Sequence, residues 1–242
     1  MRKVEVETAE EFLDNIRPNT KITIKRDFSL SGVRIPENPH VYVRKVFDGE
    51  EVVFRDLEYV SIVGVSKPKV TVEPRYSSTL NFENSRYVYV EGLVLGHAPD
   101  VGHCQGAVIN IRSCSDVYVA DCLLFGCGTY GFQVYECNYI NFIDSEIFDC
   151  SYGIFTAEGV DRLYLCGLKM YNNSCYDAIN IIKSRVVFEN VDIFDNRSND
   201  GISSFFQVYR SELSFGNTNI DLKGFSRVGI PLDQDGLIIR NL

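Results

Sequence analysis

The chain has 242 residues, of which 45% are hydrophobic and 12% aromatic, ample for a packed core and too apolar for a disordered chain. Acidic residues outnumber basic ones 33 to 24, and the net charge of −9 argues against a nucleic-acid footprint and an anionic membrane surface. No apolar run reaches the roughly 18 residues of a membrane span.

Residues 1–7, Met-Arg-Lys-Val-Glu-Val-Glu, hold no apolar signal segment, so the expected setting is cytoplasmic, with the 8 cysteines as thiols. The first predicted element is a short helix. Thr8 with Glu11 three residues on makes a capping box, and Phe12, Leu13 and Ile16 give one apolar face. Residues 1–242 read as one domain: a cap helix and irregular first turns over 1–56, repeated coils over 57–215, and a C-terminal turn over 216–242.

The repeats dominate the middle of the chain. Val117–Phe125, Ile140–Phe148, Leu163–Tyr171 and Val186–Phe194 align with starts 23 residues apart. The first column is Val117, Ile140, Leu163 and Val186; two residues on it is Val119, Phe142, Leu165 and Phe188. That alternation marks a strand with one face buried. A later column is aromatic throughout: Phe125, Phe148, Tyr171 and Phe194. Val88–Leu95 and Val60–Ile62 fit upstream, and Leu213–Phe215 downstream. Short strands, Gly, Asn and Asp at the corners and a fixed period describe a solenoid, in which each strand pairs with its copy one coil on, about 4.8 Å away.

These columns, behind the Val4–Ile16 and Pro18–Ile24 start, resemble the repeats of the right-handed parallel β-helix proteins of the pectate-lyase-like superfamily. The resemblance implies an all-β fold, a single-stranded right-handed parallel β-helix whose open N-terminal end is covered by the short helix. It names no reaction, since such folds serve lyases, hydrolases, epimerases, phage fibres and binding proteins.

Several residues invite chemistry. Gly96–Cys104 is a longer loop holding His97 and His103, two of the 3 histidines. With Asp121, Cys127 and Tyr130 one coil away it offers ligands for a transition metal, or a general base. Its His-x5-His-Cys spacing matches no recognised ligand set, so the loop reads better as a ligand or partner contact, with no cofactor expected and Ca²⁺ or a transition metal as the weaker alternative. Cys127 and Cys150 head a column continued by Asn173 and Asn196, an internal asparagine ladder, and buried thiols of this kind need no redox role.

Asp177 and Asp200 fall on adjacent coils, roughly 5 Å apart if the register holds. Such a pair suits a nucleophile with an acid/base partner. Equally, Asp before Ala or Gly is corner chemistry, the side chain capping a local N–H. Asp177-Ala-Ile-Asn and Asn199-Asp200-Gly-Ile resemble fragments of polygalacturonase-like glycosidase motifs, in reversed order and without the second aspartate of the doubled motif. A column Cys114, Cys137, Val160, Lys183, Arg210 brings Lys183 into play: the resemblance to lyases implies a Lys or Arg base beside a carboxylate, while the plain reading is a solvated edge. Tyr89, Tyr118, Asn141 and Tyr164 share the outward position of the first strand, a flat platform for a sugar or a protein.

The expected function is therefore presentation of a repeated surface and the His97–His103 loop to a carbohydrate or protein ligand, without a complete catalytic site and with no nucleic-acid or membrane partner. The alternative is a polysaccharide-active lyase, hydrolase or epimerase using Asp177, Asp200 and Lys183.

Overall fold

The computed structural model describes residues 1–98, 106–126 and 130–241. Three long sheets run side by side along a right-handed parallel coil. The first has nine strands, from Arg2–Val6 to Glu212–Gly216; the second has nine, from Phe28–Ser29 to Leu237–Arg240; the third has eight, from Val41–Val46 to Phe206–Tyr209. Pairing is in register as expected, with Val88, Val117, Ile140, Leu163 and Val186 successive partners in the first sheet. The coil starts earlier than residue 57: Arg2 already pairs with Thr20, and Thr20 with Val60.

The alternation within each strand turns one side chain in and the next out. Inward residues from all three sheets form a single apolar core, in which the rings of Phe132, Phe142 and Phe155 stack at centroid distances of 4.0 and 4.7 Å. The helix Ala9–Asn15 closes the N-terminal end. Thr8 Oγ1 accepts from the Glu11 N–H at 3.2 Å, and Phe12, Leu13 and Ile16 are fully buried. An antiparallel hairpin, Val41–Val46 with Gly49–Arg55, covers the matching edge of the third sheet.

Sharp corners leave backbone amides pointing inward, and buried amides need partners. A polar side chain one coil on supplies each. Asn173 Oδ1 accepts from the Cys150 N–H at 2.9 Å, and Asn196 Oδ1 from the Asn173 N–H at 3.0 Å, while their amide groups donate to the carbonyls of Ile147 and Met170. Thiols fill the same role elsewhere: the Cys114 N–H meets Cys137 Sγ at 3.3 Å and the Ser85 N–H meets Cys114 Sγ at 3.4 Å. Cys127, the proposed head of the asparagine ladder, lies outside the described residues.

This corner column corrects one expectation. After Val160 it continues through Ser184 and Ser211, not Lys183 and Arg210: Ser184 Oγ accepts from the Val160 N–H at 3.0 Å, and Ser211 Oγ from the Ser184 N–H at 3.1 Å. Between Asn173 and Ile179 the coil holds one residue more than the preceding coil holds between Cys150 and Phe155, so equivalent positions slip by one. Lys183 and Arg210 instead take the left-handed corner position of Ser113 and Glu136, with φ of 48° and 50°, and project into solvent.

Asn196→Ala would strand the Asn173 N–H and the Met170 carbonyl, so it should cost about 2–4 kcal/mol in denaturant unfolding. Asp149→Asn, at an exposed corner two coils earlier, should stay within about 0.5 kcal/mol.

Candidate functional site

The outward positions of the third sheet carry a second ladder, this one in solvent reach. Asn110, Gln133, Thr156, Asn180 and Gln207 are successive partners across five strands. On one side stand Tyr130, Tyr152 and Tyr176, with ring centroids 5.3 and 5.7 Å apart. On the other stand Arg112, its guanidinium 4.7 Å from the Tyr135 ring, and Ile182. The hairpin closes one end with Arg44, Val46 and Glu51. The resulting groove has a volume of about 560 Å³, and Asp177 sits in its tyrosine wall.

Two features of the backbone shape that wall. Gly153 pairs with Tyr130, and a Cβ there would lie 2.3 Å from both Tyr130 Cε1 and the Asp177 carbonyl oxygen. Only a glycine lets the Tyr130 ring cross this strand toward Asp177. Burial, then the nearby Asp177 charge, pushes the Tyr130 phenol above its ordinary pKa, so it stays a neutral donor.

Charge is arranged unevenly along the groove. Arg44 is held by two carboxylates, its Nε 3.0 Å from Glu51 and Nη1 3.0 Å from Glu83. Glu51 also accepts from the Ser78 N–H at 2.7 Å and is only 4% exposed. Arg112 has no ion pair among the described residues, so its charge faces the groove uncompensated. The Asn110 amide donates to Asn81 Oδ1 at 3.0 Å, while its own Oδ1 is buried without a partner. A buried acceptor left open in a groove wall suits a hydroxyl or N–H from a ligand.

No family model and no curated protein matches the sequence. Among solved structures, a pectate lyase from Paenibacillus sp. 0602 has a TM-score of 0.60 at 9% identity, over 91% of this chain and 71% of that one. Tailspike protein 2 of Escherichia coli O157:H7 bacteriophage CAB120 has a TM-score of 0.40 at 11% identity, over 98% of this chain and 38% of that one. The chain has the pectate-lyase-like parallel β-helix fold.

Within this β-helix the residues singled out from sequence are scattered. Asp177 is in the groove, its Oδ1 accepting from Gln207 Nε2 at 2.5 Å. Asp200 is elsewhere, and the expected carboxylate pair does not form. Four extra residues lengthen its coil between Ser198 and Phe206, compared with Cys175 to Ile179, and Asp200 folds back on that excursion. Its carboxylate accepts from Ser203 Oγ at 2.7 Å, Ser198 Oγ at 2.8 Å and the N–H groups of Ile202 and Ser203 at 3.0 Å. These bonds, the Ser203 hydroxyl first, hold its pKa well below the carboxylate range. Lys183, at its exposed corner, does not line the groove.

His97 is not a surface ligand either. It is 2% exposed, and its Nε2 donates to the Ser77 carbonyl at 2.8 Å; burial keeps it below the usual histidine pKa. It ends the strand Val94–His97, in which Gly96 leaves room for the ring of its partner Phe125 on the next coil. His103 lies outside the described residues. Asp121 pairs with Lys67 at 2.8 Å, and among the described residues no group of three or more His, Cys, Asp or Glu side chains is placed to hold a metal. Tyr89, Tyr118 and Tyr164 line up through Asn141 on the outer face of the first sheet, away from the groove.

The groove ladder was itself readable. Asn110, Gln133, Thr156, Asn180 and Gln207 each stand as a lone polar residue between apolar neighbours, at spacings of 23, 23, 24 and 27. The drift in spacing hid them. Arg44 and Glu51, brought in by the hairpin from far along the chain, had no such signal.

Gly153→Ala should fold but push Tyr130 out of the groove wall, at a cost of about 1–3 kcal/mol in unfolding and with a changed near-ultraviolet tyrosine signal. An unchanged spectrum and stability would mean that Tyr130 does not cross Gly153.

Proposed function

We propose that this β-helix binds a saccharide chain laid lengthwise in the groove of the third sheet. One observation carries the reading: five polar side chains at strand spacing, in register, between a wall of tyrosines and an uncompensated arginine. Amide and hydroxyl groups both donate and accept, as sugar hydroxyls require. Tyrosine rings offer apolar faces to sugar rings and hydroxyls to their edges. Arg112 adds a preference for a chain carrying carboxylates. The fold shared with a pectate lyase supports a carbohydrate ligand, and recognition without cleavage is favoured because Asp200 and Lys183 both stand apart from Asp177.

A second reading, cleavage of the bound chain, is kept by the position of Asp177 beside Tyr130 in the groove. The two readings part cleanly in experiment. In titrations with neutral and acidic oligosaccharides, affinity should climb with length until the chain matches the ladder, four strand spacings or roughly 19 Å, and then level off. Asn180→Ala should weaken binding about fivefold, and Lys183→Ala should leave it unchanged. Length-independent binding, or none across the panel, would overturn the groove as a saccharide site. Appearance of an ultraviolet-absorbing unsaturated product, lost in Asp177→Asn, would replace binding with lyase chemistry.

A further inference from the structure

A separate feature lies on the corner that leads into the first sheet. Tyr59, Tyr87, Asp116 and Tyr139 occupy the same register position on four successive coils, each with φ between 53° and 55°. Left-handed backbone suits Asn or Asp and strains a bulky ring, so three tyrosines there are an outlier that asks for a reason. Tyr59 and Tyr87 stack face to face, with centroids 4.7 Å apart and planes 4° from parallel. On the coil after Tyr139 comes Arg162, whose guanidinium lies 5.4 Å from the Tyr139 ring centroid. Along the axis the column therefore runs ring, ring, carboxylate, ring, guanidinium.

The carboxylate is the gap. Tyr87 and Tyr139 are two strand spacings apart, roughly 9.6 Å, twice the separation at which Tyr59 and Tyr87 already stack. One planar group fits between them at stacking distance on both faces. Asp116 is too short to fill the space and lies half-buried at its base, with no hydrogen bond or ion pair among the described residues. Arg86, whose guanidinium lies 6.0 Å from the Tyr87 ring centroid, is drawn toward the preceding coil by Glu58 at 2.9 Å. The three tyrosines are 43–46% exposed, so the seat opens to solvent.

We propose that the Asp116 position seats an arginine side chain of a protein partner, its guanidinium sandwiched between Tyr87 and Tyr139 and paired with the Asp116 carboxylate. A guanidinium is flat, cationic and weakly hydrated, and it stacks on aromatic faces; an ammonium is not planar, and a sugar ring is thicker and uncharged. The protein uses this contact repeatedly on itself, with Arg55 over Tyr42 at 4.9 Å, Arg112 over Tyr135 at 4.7 Å and Arg210 over Tyr209 at 5.0 Å. Next to the seat runs a shallow groove of about 470 Å³, where Ser115, Asn138 and Glu136, the last with no ion pair among the described residues, offer acceptors to a peptide backbone. The overall charge of −9 favours a basic partner.

The test uses the full chain and a blocked tripeptide, acetyl-Gly-Arg-Gly-amide, followed by the aromatic proton resonances of Tyr87 and Tyr139. Both rings should shift together on titration, and the same peptide with citrulline in place of arginine should bind at least about fivefold more weakly. Asp116→Asn, which keeps the shape and tolerates the left-handed backbone, should weaken the arginine peptide about as much. Asp116→Tyr, which puts a ring into the gap, should abolish binding while the chain stays folded. Equal binding of the citrulline peptide, indifference to Asp116→Asn, no shift with either peptide, or shifts produced by methyl glucoside instead would each overturn the proposal.

Discussion

Everything in this molecule depends on the hydrogen bonding of each coil to the next at the strand spacing. A parallel strand offers half of its backbone groups forward and half backward, and here each set is met by the coil above or below. The corners are the weak points of that scheme, because a bend turns amides into the core. Ser, Asn and Cys side chains supply what the bend removes, each accepting from the N–H of the coil before it. Thiols serve here as acceptors and as small apolar bodies at once. Burial pushes the thiol pKa of Cys122 up to about 11 and that of Cys175 up to about 12, which keeps them unreactive.

The same stacking that closes the core writes ladders on the outside. Phe125, Phe148, Tyr171 and Phe194 stack along the second sheet with centroids 5.3–6.2 Å apart, and Lys69 covers the first ring at 4.8 Å. Gly96, the partner of Phe125, has no side chain because the ring occupies that space. Each exterior column is thus a one-dimensional surface whose chemistry is set by a single position of the repeat. The amide ladder of the third sheet and the tyrosine column at the first-sheet corner are two such surfaces with different chemistry: one polar and long, the other flat and acidic.

Interruptions of the repeat are what make sites out of surfaces. One added residue after Asn173 moves Ser184 into the inward corner position and Lys183 to the exposed one before it. Four more after Ser198 carry Asp200 away from Asp177 and let Gln207 take its place beside that carboxylate. The hairpin at the N-terminal edge adds Arg44, Val46 and Glu51 to a groove otherwise lined by the coils. A regular solenoid would have a stripe on each face; this one has a groove with an end.

The sequence alone determined the solenoid, its capping helix, the inward columns and the internal asparagine ladder, because a period near 23 with alternating polarity leaves one way to bury the apolar residues. It also placed Asp177 at a corner and the tyrosines at outward positions. Only the tertiary structure decided which outward columns meet, since a one-residue slip, invisible in the alternation, shifts a neighbour by a full position. It separated Asp177 from Asp200, buried His97, and joined Arg44 to Tyr130 across some ninety residues of chain. Burial is dictated locally by hydrophobic pattern; adjacency on the surface follows from coil lengths summed along the chain.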